Sequence, residues 1–471
     1  MTERPEVASC SAVDPDGVPR APETLLVQRY DRPAPRYTSY PPVPCWGPVG
    51  PHAHAEALDG LTREPAPLGL YVHLPFCGER CWYCGCNVVI APDRTVADDT
   101  IDAIEEEARV VSARLAPRPV ASLHLGGGTP NFLAGPQLRR LFAALRGAFE
   151  FTAQTRVDVE LDPRTLEPET IEVLASLGAR RVSVGVQDLD PAVGAAIGRV
   201  MDGERVSECI RAARRAGIQG VNLDLMYGLP RQTPESVRRT LRTLLRERPD
   251  RFAVYGYAHV PDMRPQQRRL EPHGLPGAAA RAELFHVVKE TLVDAGYLPV
   301  GLDHFVVPSD DMARAVATRT LHRTFQGYTT HAATDLLGLG PSAISRLTLA
   351  SGDRAGGVAY MQNAPADKVY RRHLAGGRLA TERGFVAAPS DVARGCLIED
   401  IMCHMAARVP EGWSGFEGER EALRPFEEDG LVMIEADRLE VTETGRFFVR
   451  QVARTFDRHT RPLVDRPEAA A

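Results

Sequence analysis

Long apolar runs are missing from this 471-residue chain. No stretch approaches the ~18 residues of a membrane span, so no transmembrane helix is expected. The opening text, MTERPEVASCSAVDPDG, holds no apolar core that would serve as a signal peptide. A charge excess is missing too: the formal net charge of -6 is small for this length, and it gives no footprint for nucleic acid. Nor is there a disulfide framework, because Cys10, Cys45, Cys209, Cys396 and Cys403 are scattered along the chain. These absences point to a protein of a reducing compartment, expected in the cytoplasm. With 44% hydrophobic residues it has enough apolar surface for a large core and more than one domain.

What the chain does have is one crowded loop. Cys77, Cys81, Cys84 and Cys86 all lie within HLPFCGERCWYCGCN. Structural zinc sites are usually built from two separated cysteine pairs, so zinc suits this loop poorly. A CxxxCxxC loop supplies thiolates to three irons of a [4Fe–4S] cube and leaves the fourth open to an outside ligand. Such an iron is able to chelate the amino and carboxylate groups of S-adenosylmethionine and pass an electron to its sulfonium.

The first ~25 residues, rich in Pro, Ala and acidic groups without periodicity, read as a flexible tail. From Arg29 to Trp46 prolines preclude a regular helix, while Tyr30, Tyr37, Tyr40 and Trp46 give an extended segment something to pack. It reads equally as a surface strap or a substrate-contacting arm. Short apolar strands then alternate with amphipathic helices. Strands are expected at Leu70 to Leu74, Ser122 to Gly126, Arg156 to Leu161, Arg180 to Val186, Gly220 to Met226 and Phe252 to Ala258. These β/α repeats with right-handed crossovers make a parallel sheet covered by helices, open or barrel-like.

Each strand ends in a polar or glycine-rich group. The cysteine loop follows the first, Gly126-Gly127-Gly128-Thr129-Pro130 the second, and Glu160 and Asp162 the third. Gln187 follows the fourth, Asp224 and Tyr227 close the fifth, and His259 follows the sixth. The carboxyl ends of parallel strands share one face, so these groups are expected to meet in one pocket.

Beyond about residue 355 the pattern changes. RPFEEDGLVMIEADRLEVTETGRFFVRQVARTF reads as helix, strand, tight turn, strand, helix, a small winged-helix-like unit. Its turn EADR is acidic and no basic stripe accompanies it, so a lid or packing role is expected rather than DNA binding. The expected organisation is a tail and amino-terminal arm over 1–51, a catalytic barrel over 52–355, and a smaller, mainly helical C-terminal domain over 356–471.

Together these motifs resemble the radical S-adenosylmethionine (radical SAM) superfamily, and within it the oxygen-independent coproporphyrinogen III dehydrogenases (oxidases) of heme biosynthesis. The resemblance runs from about Arg36 to Phe456, through RYTSYP, YVHLPFCGERCWYCGCN, LHLGGGTPNFL, SVGVQD, NLDLMYGLPRQTPES, YAHVP, GLDHF, FQGYTT and LGLGPSAIS. A GGGTP run alone is a tight turn; after a CxxxCxxC strand loop its glycines let the backbone approach a methionyl group closely. The fourth cysteine in CGC and the RYTSYP arm favour this family over related heme chaperones, which typically carry Phe at the position of Cys86.

The resemblance implies an α/β fold, a partial (β/α)6 radical-SAM-type barrel. It implies that Cys77, Cys81 and Cys84 hold the cluster. Tyr71, Tyr83, Gly127, Gly128, Thr129, Gln187, Asp224, Ala258 and Ile344 would line a first S-adenosylmethionine and its companion. Glu160, Arg199 and Asp224 match positions contacting a second S-adenosylmethionine, or the ribose and carboxylate of the two. Cys86, Gln326 and Ile344 fall at positions tied to turnover, and Glu160 joins Cys86 and Gln326 as a catalytic candidate. From the residues alone, Glu160 with Asp162 also reads as a helix N-cap and Arg199 as a helix-end cation. Gln187 and Asp224, polar at the ends of otherwise buried strands, need a partner that a nucleoside supplies.

The implied reaction is oxidative decarboxylation of the ring A and B propionates of coproporphyrinogen III to vinyl groups, giving protoporphyrinogen IX. A 5′-deoxyadenosyl radical abstracts a propionate β-hydrogen, carbon dioxide leaves, and the residual electron passes to an acceptor. An electron-donor protein, an electron acceptor and a monomeric state are expected. The substrate carboxylates demand cations, for which Arg36, His259, Arg264, Arg268 and Arg269 are candidates. Two departures, HRT before FQGYTT where an Asn is common and VMDGE after Arg199, leave room for a paralogue with altered activity or a different tetrapyrrole, and a heme chaperone of the same superfamily is the alternative reading.

Overall fold

The computed structural model describes residues 22–30, 32–61, 66–330, 335–350 and 356–460; residues 1–21 of the expected tail lie outside them. Parallel strands follow one another in chain order: β1 (Leu68–Leu74), β2 (Pro119–Gly127), β3 (Glu150–Leu161), β4 (Ala179–Gln187), β5 (Gly220–Tyr227) and β6 (Arg251–Gly256). After them come α1 (Asp98–Ser112), α2 (Gly135–Ala148), α3 (Pro168–Ser176), α4 (Gly203–Arg215), α5 (Pro234–Leu245) and α6 (Ala278–Asp294).

Alternation along each strand sorts the side chains into two layers. Leu70, Val72 and Leu74 of β1, Leu123 and Leu125 of β2, Val157, Val159 and Leu161 of β3, and Val182, Val184 and Val186 of β4 are buried in one core. That core includes Val206, Cys209, Ile210 and Ala213 of α4, which recur at three and four as a helix face requires. The residues between them are of another kind. Tyr71 stands opposite His124, His124 opposite Asp158, Glu160 opposite Ser183, and Gly185 opposite Asp224, so one polar row crosses the concave face.

The sheet does not stop at six strands. β7 (Asp335–Leu339) adds parallel to β1, then β8 (Ile344–Thr348), β9 (Val358–Asn363) and β10 (Thr381–Ala387) add antiparallel, with Gly47–Pro48 at that edge. At the other edge lie His304–Val306 and Leu298–Val300, giving thirteen strands whose two edges are not bonded to each other. The result is a partial barrel. The boundary expected at 355/356 falls inside this sheet, between β8 and β9. The change of pattern there marks a switch from parallel β/α units to antiparallel hairpins, not a change of core.

A second core forms around α7 (Pro389–His404), α8 (Glu417–Glu428), α9 (Val449–Arg454) and the strands Ala406–Arg408, Val432–Ile434 and Arg438–Val441. The hairpin Val432–Ile434 to Arg438–Val441 turns at EADR, the wing that was expected. Val27, Tyr30, Tyr37 and Tyr40 are buried in this same core. The chain forms a helix over Pro22–Tyr30, where the sequence read as tail and then as non-helical arm. Val27 and Tyr30 lie one turn apart, and Tyr30 finds Phe426 and Asp429 nearly 400 residues away, a contact no local pattern reports. Tyr30 stacks on Phe426 with ring centroids 4.6 Å apart, and its hydroxyl donates to Asp429 at 2.6 Å. Further along the arm, Trp46 stacks on Tyr360 of β9 at 5.3 Å. Among the described residues no helix is long and apolar enough to cross a membrane.

Candidate active site at the carboxyl ends of the strands

The cysteine loop leaves β1 and is braced from several sides. The Trp82 N–H donates to Ile197 O at 3.0 Å, Gln266 Nε2 to Cys84 O at 2.8 Å, and Gln267 Nε2 to Tyr83 O at 2.9 Å. Arg264, expected among the substrate cations, donates Nε to Gly85 O at 2.8 Å. Arg268 is paired with Asp262 at 2.8 Å, and Arg269 lies over the Trp82 ring. Of the five expected cations, Arg36 and His259 line a cavity of about 470 Å³ beside the strand ends.

The sulfurs sit among donors. The Cys86 N–H points at Cys84 Sγ at 3.4 Å, and hydrogen bonding from Cys86 brings the Cys84 thiol down to about 6. Cys81 Sγ receives Arg199 Nη1 at 3.5 Å and Arg164 Nη2 at 3.6 Å. Cys77 Sγ lies 3.3 Å from Thr129 Oγ1, and burial pushes its thiol up to about 11. The Cys86 thiol is raised by its hydrogen bond with Cys84. The donor aimed at Cys84 favours thiolate, the form in which cysteine ligates iron. A cube spreads three thiolates over separate irons, which suits three cysteines carried on one short loop. The residues fit a cluster.

Beside the cysteines, Asp162 accepts Arg199 through both oxygens at 2.9 and 3.1 Å, and Arg164 at 2.7 Å. Burial alone raises the Asp162 pKa, but the two guanidiniums more than offset it and hold the carboxylate below its ordinary range. Arg199 is thus neither a solvated helix end nor free to leave: it is 5% exposed and ties Asp162 to Cys81. The Tyr83 phenol is acted on by Arg199 and Cys81, and burial lifts it well above its ordinary value.

The glycine run gives room that a side chain takes away. Gly127 has φ +102, and a Cβ there meets the His73 ring at 2.4 Å; one at Gly128 meets Leu74 O and Phe76 O at 2.7 Å. Glu160 accepts the Gly127 N–H at 3.1 Å and faces His124 Nε2 at 3.1 Å, while its side chain stays 40% exposed. Burial raises its pKa, yet His124 and the Gly127 amide bring it below the usual carboxylate range. Tyr71 stacks over His124 and touches His73 Nδ1 at 3.0 Å. His73 and His124 escaped the sequence reading, although the period-two placing of polar residues in buried strands marks them.

Asp224 differs from expectation. Its carboxylate already has protein partners, Ser183 Oγ at 2.7 Å and Asn222 Nδ2 at 2.8 Å, and burial raises its pKa to about 7. Gln187 stands at the end of β4 with φ +68, and its carboxamide makes no hydrogen bond among the described residues. Ala258 is exposed, and its carbonyl shares Gln267 Nε2 with the Tyr83 carbonyl. Ile344 opens β8 and packs in the cluster of Trp46 and Tyr360. Gln326 lies in the turn between His322–Thr324 and Gly327–Thr329, its Nε2 buried without a partner among the described residues. No hydrogen bond joins Ile344 or Gln326 to the cysteine network among those residues.

Residues 71–244 match the model of the radical SAM superfamily. The chain is 40% identical over 383 residues to the oxygen-independent coproporphyrinogen III oxidase of Pseudomonas aeruginosa, covering 80% of this chain and 81% of the relative. It is 40% identical over 423 residues to the oxygen-independent coproporphyrinogen III oxidase of Bradyrhizobium diazoefficiens, covering 87% and 91%. The solved structure of coproporphyrinogen III oxidase from Escherichia coli, described as a radical SAM enzyme, superposes with a TM-score of 0.84 at 35% identity, over 93% of this chain and 99% of that one. The chain belongs to the oxygen-independent coproporphyrinogen III oxidases of the radical SAM superfamily, oxidoreductases whose cofactors are a [4Fe–4S] cluster and S-adenosylmethionine.

Proposed function

We propose that this chain performs the oxygen-independent oxidative decarboxylation of two propionates of coproporphyrinogen III, yielding protoporphyrinogen IX for heme synthesis. The observation that carries this is the extent of the match: relatives of that name align over four fifths or more of both chains. When bound, the cluster and S-adenosylmethionine supply an electron and a 5′-deoxyadenosyl radical.

The chain's part is holding, orienting and shielding. Cys77, Cys81 and Cys84 are assigned as the three ligands, with Arg164 and Arg199 donating to the Cys81 sulfur. Gly127, Gly128 and Thr129, with Tyr71 and Tyr83, are assigned to the methionyl and adenine parts, where the missing Cβ atoms let the backbone come close. Glu160 keeps an anionic oxygen toward the lumen and suits ribose hydroxyls or a second S-adenosylmethionine, with Arg199 and Asp224 beside it. Gln187 offers a free amide to the same ligands; Ala258 and Ile344 complete the rim. Cys86, exposed and outside the ligand set, and Gln326, with its unpartnered amide, are assigned to turnover of the substrate. An electron-donor protein, a separate electron acceptor, a cytoplasmic location and a monomeric state complete this reading.

Anaerobic incubation with coproporphyrinogen III, S-adenosylmethionine and a reductant tests it, with the products oxidised and separated. Protoporphyrin is expected. A heme-chaperone reading predicts heme binding with no new porphyrin, and that result from iron-loaded protein would overturn the proposal.

A further inference from the structure

The cavity of about 470 Å³ lies between the ends of β5 and β6, the amino-terminal arm, and the helices α6 and α9. Four arginines line it, the exposed Arg32 and three whose guanidiniums bond across the cavity wall: Arg36 from the arm, Arg281 from α6 and Arg450 from α9. None of these three has a carboxylate partner among the described residues. Each is held instead by a backbone carbonyl, Arg36 by Gly256 at 2.9 Å, Arg281 by Tyr257 at 3.3 Å and Arg450 by Ala34 at 3.0 Å. Arg281 Nε is buried with no partner at all among those residues. Asp303 also lines the cavity, but it is paired with His304 at 2.7 Å.

Guanidiniums gathered from three distant parts of the chain repel one another, and burial together with Arg36 and Arg281 lowers the pKa of Arg450. Asp303 offsets this repulsion only in part, and the remaining excess of positive charge suits an anionic ligand. Planar forks aimed into one cavity match carboxylates in pairs. The cavity adjoins the cysteine loop, since Ala258 on its wall and Tyr83 of the loop share the Gln267 amide.

We propose that Arg36, Arg281 and Arg450 clamp the carboxylates that the reaction leaves in place, the propionates of the two pyrrole rings that are not decarboxylated. This rests on the activity proposed above. Decarboxylation consumes a carboxylate charge, so a guanidinium paired with the reacting group stabilises the starting state more than the transition state. Paired with a retained carboxylate, it orients the macrocycle without opposing the chemistry. Arg281 and Arg450 are then specificity determinants, and the arm carrying Arg36 is a substrate-contacting element as well as a strap.

The test uses iron-loaded, full-length protein titrated anaerobically with coproporphyrin III, the oxidised four-carboxylate analogue, followed by porphyrin fluorescence. Arg281→Gln with Arg450→Gln should weaken binding about a hundredfold, about tenfold for each arginine. Replacing both by Lys should recover part of it, and the tetramethyl ester should bind wild type and double variant alike. With coproporphyrinogen III, KM should rise far more than kcat falls. Iron content equal to wild type shows that a variant is folded; if the double variant fails to load iron, the single variants make the same comparison. Equal coproporphyrin affinity in variants and wild type, or an equal loss with the ester, overturns the clamp. Wild type that forms no protoporphyrinogen overturns the activity, and the clamp with it, before any variant is made.

Discussion

Two arginine–aspartate networks sit at opposite ends of one sheet. At the amino ends of the strands, Asp310 and Asp311 accept Arg251, Arg181 and Arg156, with Arg251 Nε 2.8 Å from Asp310. Each of these guanidiniums ends on a carboxylate, and none is directed at a sulfur. At the carboxyl ends, Asp162 holds Arg199 and Arg164, and each guanidinium still has an N–H directed at the Cys81 sulfur. Charge that closes on itself is architecture; charge with a donor to spare prepares a ligand site. Size misleads here, since a cavity of about 720 Å³ opens at the amino end, lined by a mixture of Arg and Asp, away from every cysteine. In a parallel barrel that end serves stability.

The strongest way to break this comparison is at the thiols. Cys77→Ala, Cys81→Ala and Cys84→Ala should each abolish iron retention after anaerobic reconstitution, read by iron analysis and the visible spectrum. Stoichiometric iron in any of them would remove that residue from the ligand set. Next come the two networks. Removing one partner of a buried pair costs about 3–5 kcal/mol, so Arg251→Ala and Arg199→Ala should destabilise alike in urea. Only Arg199→Ala should also lose iron, and equal iron in both would erase the distinction between the ends.

A smaller effect is expected from Asp224, whose folded pKa is near 7 because it is buried. A carboxyl with a raised folded pKa contributes stability that is fully present below its unfolded value, near pH 4, and is lost as pH rises toward 7. Asp224→Asn should flatten the decline between pH 4 and 7 by on the order of 1–3 kcal/mol, measured as urea midpoints. An unchanged pH profile would mean that Asp224 stays ionised. Least disturbing to the fold is Gln187→Ala, which removes an amide without protein partners. It should leave stability and iron intact and weaken S-adenosylmethionine binding by about tenfold, measured by equilibrium dialysis. Undiminished binding would return Gln187 to a structural role at its left-handed strand end.

The comparison also shows what the sequence could report. Cys77, Cys81, Cys84 and the glycine run are local motifs, and each strand declared itself through period-two apolar residues. Glu160 and Gln187 were visible as polar residues at strand ends. His73 and His124 were passed over because their partners come together only on folding, Glu160 and Tyr71 of neighbouring strands around His124 and the Asn87 carbonyl of the cysteine loop against His73. Asp224 was legible as a site residue, but its satisfaction by Ser183 and Asn222 was not, because cross-strand register is a tertiary fact. Arg264 was legible as a cation, but its bond to the Gly85 carbonyl was not, because the two meet only in the folded chain.

By itself the sequence determined the β/α repeats, the thiolate loop and the face on which they meet, because periodicity and short motifs are written in adjacent residues. Only the tertiary structure decided that β9 and β10 extend the barrel's sheet and that Tyr30 and Tyr37 complete the C-terminal core. It alone brought Arg36, Arg281 and Arg450 to one cavity. Those outcomes depend on segments hundreds of residues apart burying one another, and the burial that fixes them exists only once the chain has folded.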